Sequence, residues 1–246
     1  MASPELTLDA LHEWARIESQ VVGRPASPAP PASWRRAQGV LGALGVTVVQ
    51  LGLLAVLPFF VLVRGSLFLY AHGGYGSWLA LVGGAGSTLV IVTAYAAWLS
   101  HLLTRRASLA TLARRVALPL VLAYCGYALI YLSSVNAKAD RVRAYYTSLH
   151  PLLRVALSTW ILVDRDIVIT DLARRREDYA TMRLPVYDGS LHFLQRDGYV
   201  HAADLRVLGR SEMKNRLVQL YFWSMGLGTL RHVGTADHLH VELPLP

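Results

Sequence analysis

The chain has 246 residues, 54% of them hydrophobic, and carries 24 Lys and Arg against 16 Asp and Glu for a formal charge of +8. One cysteine, Cys125, excludes an intrachain disulfide framework and a cysteine-rich zinc ribbon, so any metal must be held by histidine and carboxylate. The charge does not point to nucleic acid: from Ser134 onward 15 basic residues face 12 acidic ones, and the remaining surplus flanks apolar segments, where basic residues set membrane topology.

Residues 1–36 read as a cytoplasmic amphipathic helix followed by a proline-rich linker. Ser3-Pro4-Glu5 is a plausible helix start, and Leu8, Leu11, Trp14, Ile17 and Val21 fall on one face, a surface for the inner leaflet or for a membrane or cytoplasmic partner. Four prolines between Arg24 and Ser33 predict an extended linker. The four acids among the first thirty residues, with no short apolar stretch, exclude a signal peptide.

Residues 37–136 are predicted to cross the membrane three times. Between Arg36 and Arg64 lie 27 uncharged residues, more than the roughly 20 that a hydrocarbon core of about 30 Å requires. His72-Gly73-Gly74-Tyr75-Gly76-Ser77 breaks the next uncharged run, which places a second span at Trp78 to Leu102. A third runs from Val116 to Val135. The glycines at 39, 42 and 45, and at 83, 84 and 86, give small surfaces for close helix approach. No Asp, Glu, Lys or Arg lies inside a predicted span, which argues against a transporter or channel. Arg24, Arg35 and Arg36 before the first span, and Arg105, Arg106, Arg114 and Arg115 between the second and third, place those segments in the cytoplasm. The C-terminal part is then expected outside the cytoplasmic (inner) membrane.

Residues 137–246 are predicted to be an extracytoplasmic α+β domain with a small antiparallel sheet. Ala137 to Ser148 reads as a helix leaving the membrane, and Pro151 to Trp160 as a second helix with proline in its first turn. Ile167 to Thr170, Leu191 to Phe193 and Tyr199 to Leu205 read as strand pieces, and Arg174 to Met182 as part loop, part short helix. Ser211 can cap a helix that Gly226 can end, with Met213, Leu217, Leu220 and Tyr221 as its apolar stripe. Thr229 to Val233 and His238 to Leu243 close the chain as a hairpin around Gly234-Thr235-Ala236-Asp237.

The chemistry gathers here. His238 and His240 stand two apart on a strand and so share a face, the arrangement of metal ligands. His192 follows one strand and Asp204 ends another, so His192, Asp204 and His240 could hold one Zn2+ with a fourth position open, as catalytic zinc requires. Asp237, in the turn, could accept the proton of an activated water, and His238 could hydrogen-bond an oxyanion. Each residue also has a plainer reading: solvated histidines on an edge strand, Asp237 and Ser190 as turn or cap residues, and Arg174-Arg175-Arg176 as a solvated charge run.

Ser190-Leu191-His192, Asp204 and Asp237-His238-Leu239-His240, in this order around the Ser211 to Met225 helix, resemble the motifs of the zinc D-alanyl-D-alanine carboxypeptidases and their hedgehog-type relatives. The resemblance covers residues 150–244. It implies His192, Asp204 and His240 as zinc ligands and Asp237 as catalytic base. Arg174 and Ser190 would touch substrate, Arg174 as the clamp of a peptide carbonyl or carboxylate. Eleven residues separate His192 from Asp204, where the family has six. A loop at Leu194 to Gly198 would absorb the excess, or His201 would replace His192 as ligand. The activity implied is a membrane-anchored D,D-peptidase, carboxypeptidase or endopeptidase, acting on peptidoglycan peptides. The alternative is a non-catalytic module that binds metal or wall peptide on the same fold.

Overall fold

The computed structural model describes residues 8–21, 32–105, 108–182, 185–234 and 237–245. The helix start at Ser3-Pro4-Glu5, most of the proline-rich linker, Arg106 and the Thr235-Ala236 part of the turn lie outside the described residues. The chain forms two compact units, 1–51 and 52–246. In the first, α1 (Leu8–Val21) exposes Leu11, Trp14 and Ile17.

Three helices of the described chain are long and apolar enough to cross a membrane: Leu44–Ala71, Ser77–Thr104 and Leu109–Ile130. The first belongs to α2 (Ala32–Ala71), which runs on through Arg64 where the sequence places the end of the span. Arginine is a good helix former and does not interrupt α2; its guanidinium reaches the carbonyl of Met225, at 3.4 Å. The second is α3 (Ser77–Thr104), closed by Arg105 in the left-handed region. The third begins at α4 (Leu109–Leu112), passes through a π-helical turn, Ala113–Ala117, and continues as α5 (Leu118–Ile130). It therefore starts seven residues before the predicted Val116 and stops five before Val135. At Tyr131 the backbone turns extended, and no helix leaves the membrane: Ala137 to Ser148 holds only α6 (Asp140–Ala144) between 3-10 turns.

The remainder is α+β. Helix α7 (Pro151–Val163) starts at proline, which lacks the N–H that a first turn leaves unbonded, and His150 Nδ1 accepts the Leu152 N–H. There follow β1 (Ile169–Asp171), α8 (Arg176–Met182), β2 (Ala202–Arg206), α9 (Glu212–Met225), β3 (Gly228–His232) and β4 (His238–Glu242). Leu191 to Phe193 is a turn and not a strand. Ser211 Oγ accepts the Lys214 N–H and Gly226, at φ 96°, closes α9 in the left-handed conformation that glycine adopts without strain.

All strands pair antiparallel in the order β1-β2-β4-β3. One face of the sheet, with Ala203, Leu205, Leu239 and Val241, is buried against Val218 and Phe222 of α9 and the residues of α7. Helix α7 is buried from Pro151 to Trp160 because its other side lies on the spans: Tyr124 Oη meets Thr159 Oγ1 at 2.6 Å, and Arg154 donates to the Leu129 carbonyl at 2.5 Å. Tyr146 Oη, bonded to the Ala128 carbonyl at 2.7 Å and to Ser158 Oγ at 2.9 Å, ties the same elements together. Span residues and sheet residues thus share one apolar core, and the predicted break at 136/137 is no boundary in packing. The opposite face of the sheet is polar.

Candidate metal centre

In β2 and β4, Asp204 pairs with His240 and Arg206 with His238, and in β3 and β4 His232 pairs with His238. Partners across an antiparallel ladder point to the same side, so these pairs fill the polar face of the sheet. Asp204 Oδ1 lies 2.8 Å from His240 Nδ1. His192 arrives from outside the sheet, with Nε2 at 3.3 Å from both Asp204 Oδ1 and His240 Nδ1. Ligand atoms about 2.0 Å from a tetrahedral ion stand about 3.3 Å apart; two of the three separations match that spacing, and the third, between Asp204 and His240 at 2.8 Å, is that of a hydrogen bond.

The remaining polar atom of each residue is already committed. His192 Nδ1 lies 2.6 Å from the Leu172 carbonyl, to which it can only donate, and this leaves the Nε2 lone pair for the cluster. His240 Nε2 faces Glu242 Oε2 at 3.3 Å, which leaves Nδ1 for the cluster. Asp204 Oδ2 receives Arg174 at 2.5 Å, which leaves Oδ1. Such outer partners, orienting each ligand and setting its tautomer, are what metal centres require.

The charges agree. Burial by itself would raise the Asp204 carboxyl, but a hydrogen bond from His240, the His192 ring beside it and the charge of Arg174 outweigh it and hold the group far below the usual carboxylate range. Burial likewise lowers His240, but Asp204 and Glu242 together raise it: in the metal-free chain a proton is favoured where a cation would sit.

Local folding explains how His192 reaches the site. Its N–H faces Ser190 Oγ at 3.4 Å, its carbonyl accepts the Arg174 N–H at 2.9 Å, and the preceding Leu191 carbonyl accepts the His201 N–H at 2.9 Å. The residues between His192 and Asp204 form a reverse turn: Gln195 and Gly198 bond to each other, Gln195 donates to the Tyr199 carbonyl, and Gly198 has φ 82°. The eleven residues between His192 and Asp204 are accommodated by this turn. Ser190 therefore orients the His192 backbone.

Arg174 is also occupied. Its Nε bonds Asp171 and its terminal nitrogen bonds Asp204, both at 2.5 Å, and its guanidinium lies 5.9 Å from the centre of the Tyr179 ring. A bulge in β1, where Ile169 faces Leu205 but Asp171 faces Asp204, brings Asp171 into this network. Burial opposes the Arg174 charge, but Asp171 and Asp204 more than compensate and raise its pKa. The arrangement makes it a clamp on Asp204, and not the free fork expected for substrate.

Asp237 does not join the cluster. It is bound by Arg231 through Nε at 3.3 Å and a terminal nitrogen at 3.2 Å, and Arg231 also holds Glu212 at 2.6 Å. Arg231 pairs with Leu239, on the buried face, so Asp237 alternates away from His238 and His240. His238 does reach the site, with Nε2 at 3.7 Å from Asp204 Oδ1, and His232 stacks on it with ring centres 4.7 Å apart. Burial, with His238 and His240 nearby, lowers the His232 pKa. Glu242 and His232 belong to no motif in the sequence, although the two-residue strand period and the hairpin register place both on this face. The Leu172 carbonyl has no sequence signal.

His201 lies elsewhere, in a second His-carboxylate group with His150 and Asp197. Its Nε2 bonds Asp197 Oδ2 at 2.8 Å, while its Nδ1 and His150 Nε2 are buried without partners. Because His150 Nδ1 accepts a backbone N–H, the neutral ring carries its proton on Nε2, the atom facing Asp197 at 3.7 Å. A metal at that atom would need the proton on Nδ1, where no acceptor waits. The residues fit a buried histidine-carboxylate network and do not fit a metal centre.

No family model, curated protein or solved structure matches the chain.

Proposed function

We propose that this chain is a bilayer-anchored, zinc-dependent D,D-peptidase that cleaves peptidoglycan stem peptides on the outer side of the cytoplasmic membrane. The observation that carries the hydrolase reading is the convergence of three atoms of ligand type, His192 Nε2, Asp204 Oδ1 and His240 Nδ1, each residue having its other polar atom held by an outer partner. Two histidines and one carboxylate leave a coordination position for a reactant. An ion held there would supply Lewis acidity, the property that makes water a nucleophile near neutral pH. The chain's own residues do the rest. Arg174 and Leu172 fix the ligands, and His238, beside the cluster and outside the ligand set, hydrogen-bonds the developing oxyanion and handles the proton. Asp237, held by Arg231, braces the hairpin. The substrate class rests on the order of the motifs in the sequence.

The test uses the full chain in detergent or nanodiscs: metal content, and amine release from a peptide ending in D-alanyl-D-alanine. One zinc per chain and release that a chelator abolishes and zinc restores are expected. A zinc-loaded chain that cuts no such peptide overturns the peptidase reading, and a chain that takes up no divalent ion overturns the hydrolase reading as well.

A further inference from the structure

Helix α9 reverses the expected stripe. Its buried residues are Asn215, Val218, Phe222 and Met225, whereas Met213, Leu217, Leu220 and Trp223 are 73%, 49%, 56% and 67% exposed. At 100° per residue the exposed four span about 120° of the helix surface, a mainly apolar stripe opposite the core-facing side, shared with Arg216 and Ser224. Scattered exposed apolar residues are ordinary; four on one face of one helix are a contact surface.

We propose that this face of α9 lies in the interfacial layer of the same bilayer that the three spans cross. Three observations fix the level of the helix. Its last carbonyls face Arg64, the residue at which the uncharged part of the first span ends and which therefore stands at the edge of the hydrocarbon. Tyr221 Oη donates to the Ala156 carbonyl of α7 at 2.9 Å, and α7 lies along the third span through Thr159 and Tyr124. The last residues of α7, Leu162 and Val163, are themselves exposed and apolar, so lipid-facing surface continues from the spans over α7. Arg216, the cation within the stripe, has the length to carry its charge to the water side, as basic residues of interfacial helices do.

The attachment has an orientation. Helices α7 and α9 cover one face of the sheet and the metal cluster occupies the other, so seating α9 on lipid turns His192, Asp204 and His240 away from the membrane. On the peptidase reading above, this selects a substrate beyond the bilayer over one buried within it.

The test reads lipid contact alone, independently of catalysis. In the Cys125→Ala full chain reconstituted in phosphatidylcholine/phosphatidylglycerol vesicles, spin labels at Leu217→Cys, Leu220→Cys and Trp223→Cys are expected to collide with oxygen more than with a water-soluble nickel chelate. A label at Arg206→Cys, on the polar face of the sheet, should show the reverse. Nickel accessibility at the stripe equal to that at Arg206, or dipolar broadening relieved by dilution with unlabelled chain (a second copy on this face), overturns the proposal. Should the cysteine variants fail to fold, brominated lipid quenching decides: Trp223→Phe is expected to lower the quenched fraction of tryptophan emission, and an unchanged fraction overturns it.

Discussion

Asp204 and His240 face each other across β2 and β4 with Oδ1 and Nδ1 2.8 Å apart, and each has its second polar atom secured, one by Arg174 and the other by Glu242. A cross-strand pair fixed in this way holds its two inward atoms at a proton or, on the proposed reading, at a metal ion. The expected outcome is that His240→Ala and Asp204→Ala each abolish stoichiometric zinc binding in the full chain, as measured by elemental analysis after gel filtration. Retention of one zinc by either variant would sink the ligand assignment.

Arg174 separates two roles. As the clamp on Asp204, Arg174→Ala should weaken zinc affinity by about 10- to 100-fold, the usual effect of losing an outer partner, and Arg174→Lys should recover part of it. A substrate clamp would behave differently, with KM raised and zinc affinity unchanged. Chelator competition and steady-state kinetics on the same preparations distinguish the two.

His238 and Asp237 are adjacent in sequence but on opposite faces of the hairpin, and their substitutions should diverge. His238→Ala is expected to keep zinc and lower kcat by about 10²- to 10⁴-fold, the range for loss of a proton-handling group. Asp237→Asn should leave zinc and kcat within a few-fold and lower the thermal midpoint, because it loosens the ion pair with Arg231. A collapse of kcat in Asp237→Asn with zinc retained would return the base role to Asp237.

Burial, reinforced by neighbouring His201, lowers the pKa of His150 from 6.5 to about 3. The folded state therefore binds fewer protons than the unfolded state between those values. The stability this neutral ring contributes is complete above about pH 6.5 and is lost as pH falls toward 3, with a slope of at most about 1.4 kcal/mol per pH unit. Thermal midpoints of the zinc-free chain measured from pH 7 to 4 should fall more steeply in wild type than in His150→Asn. Parallel curves would show that His150 is not the group responsible.

Tyr146 joins the third span to α7 through bonds to Ala128 and Ser158. Tyr146→Phe leaves a buried carbonyl and hydroxyl short of a partner and should cost about 1–3 kcal/mol. Denaturation of the detergent-solubilised chain, followed by tryptophan emission, checks it. No change in the midpoint would mean that the Tyr146 hydroxyl contributes nothing to holding the two elements together.

Much of the architecture was legible in the residues because it follows from local rules. Apolar runs of about 20 uncharged residues have the length and composition of spans, Ser211 and Gly226 bracket α9 by capping chemistry, and the strand period of two put His238 and His240 on one face. The grouping of His192, Asp204 and His240 was readable as an expectation from motif order. What the residues could not disclose depends on partners far away in the chain. The sequence shows the apolar stripe of α9 but not where it faces, because Leu217 and Leu220 are as apolar as Val218 and Phe222, and only the positions of the sheet and the spans decide which face meets the core. The same holds for charge: Arg174 and Asp237 have the chemistry of a substrate clamp and a base, but Asp204, Asp171 and Arg231 reach them first, and an ion pair is set by distance in space and not by spacing in sequence.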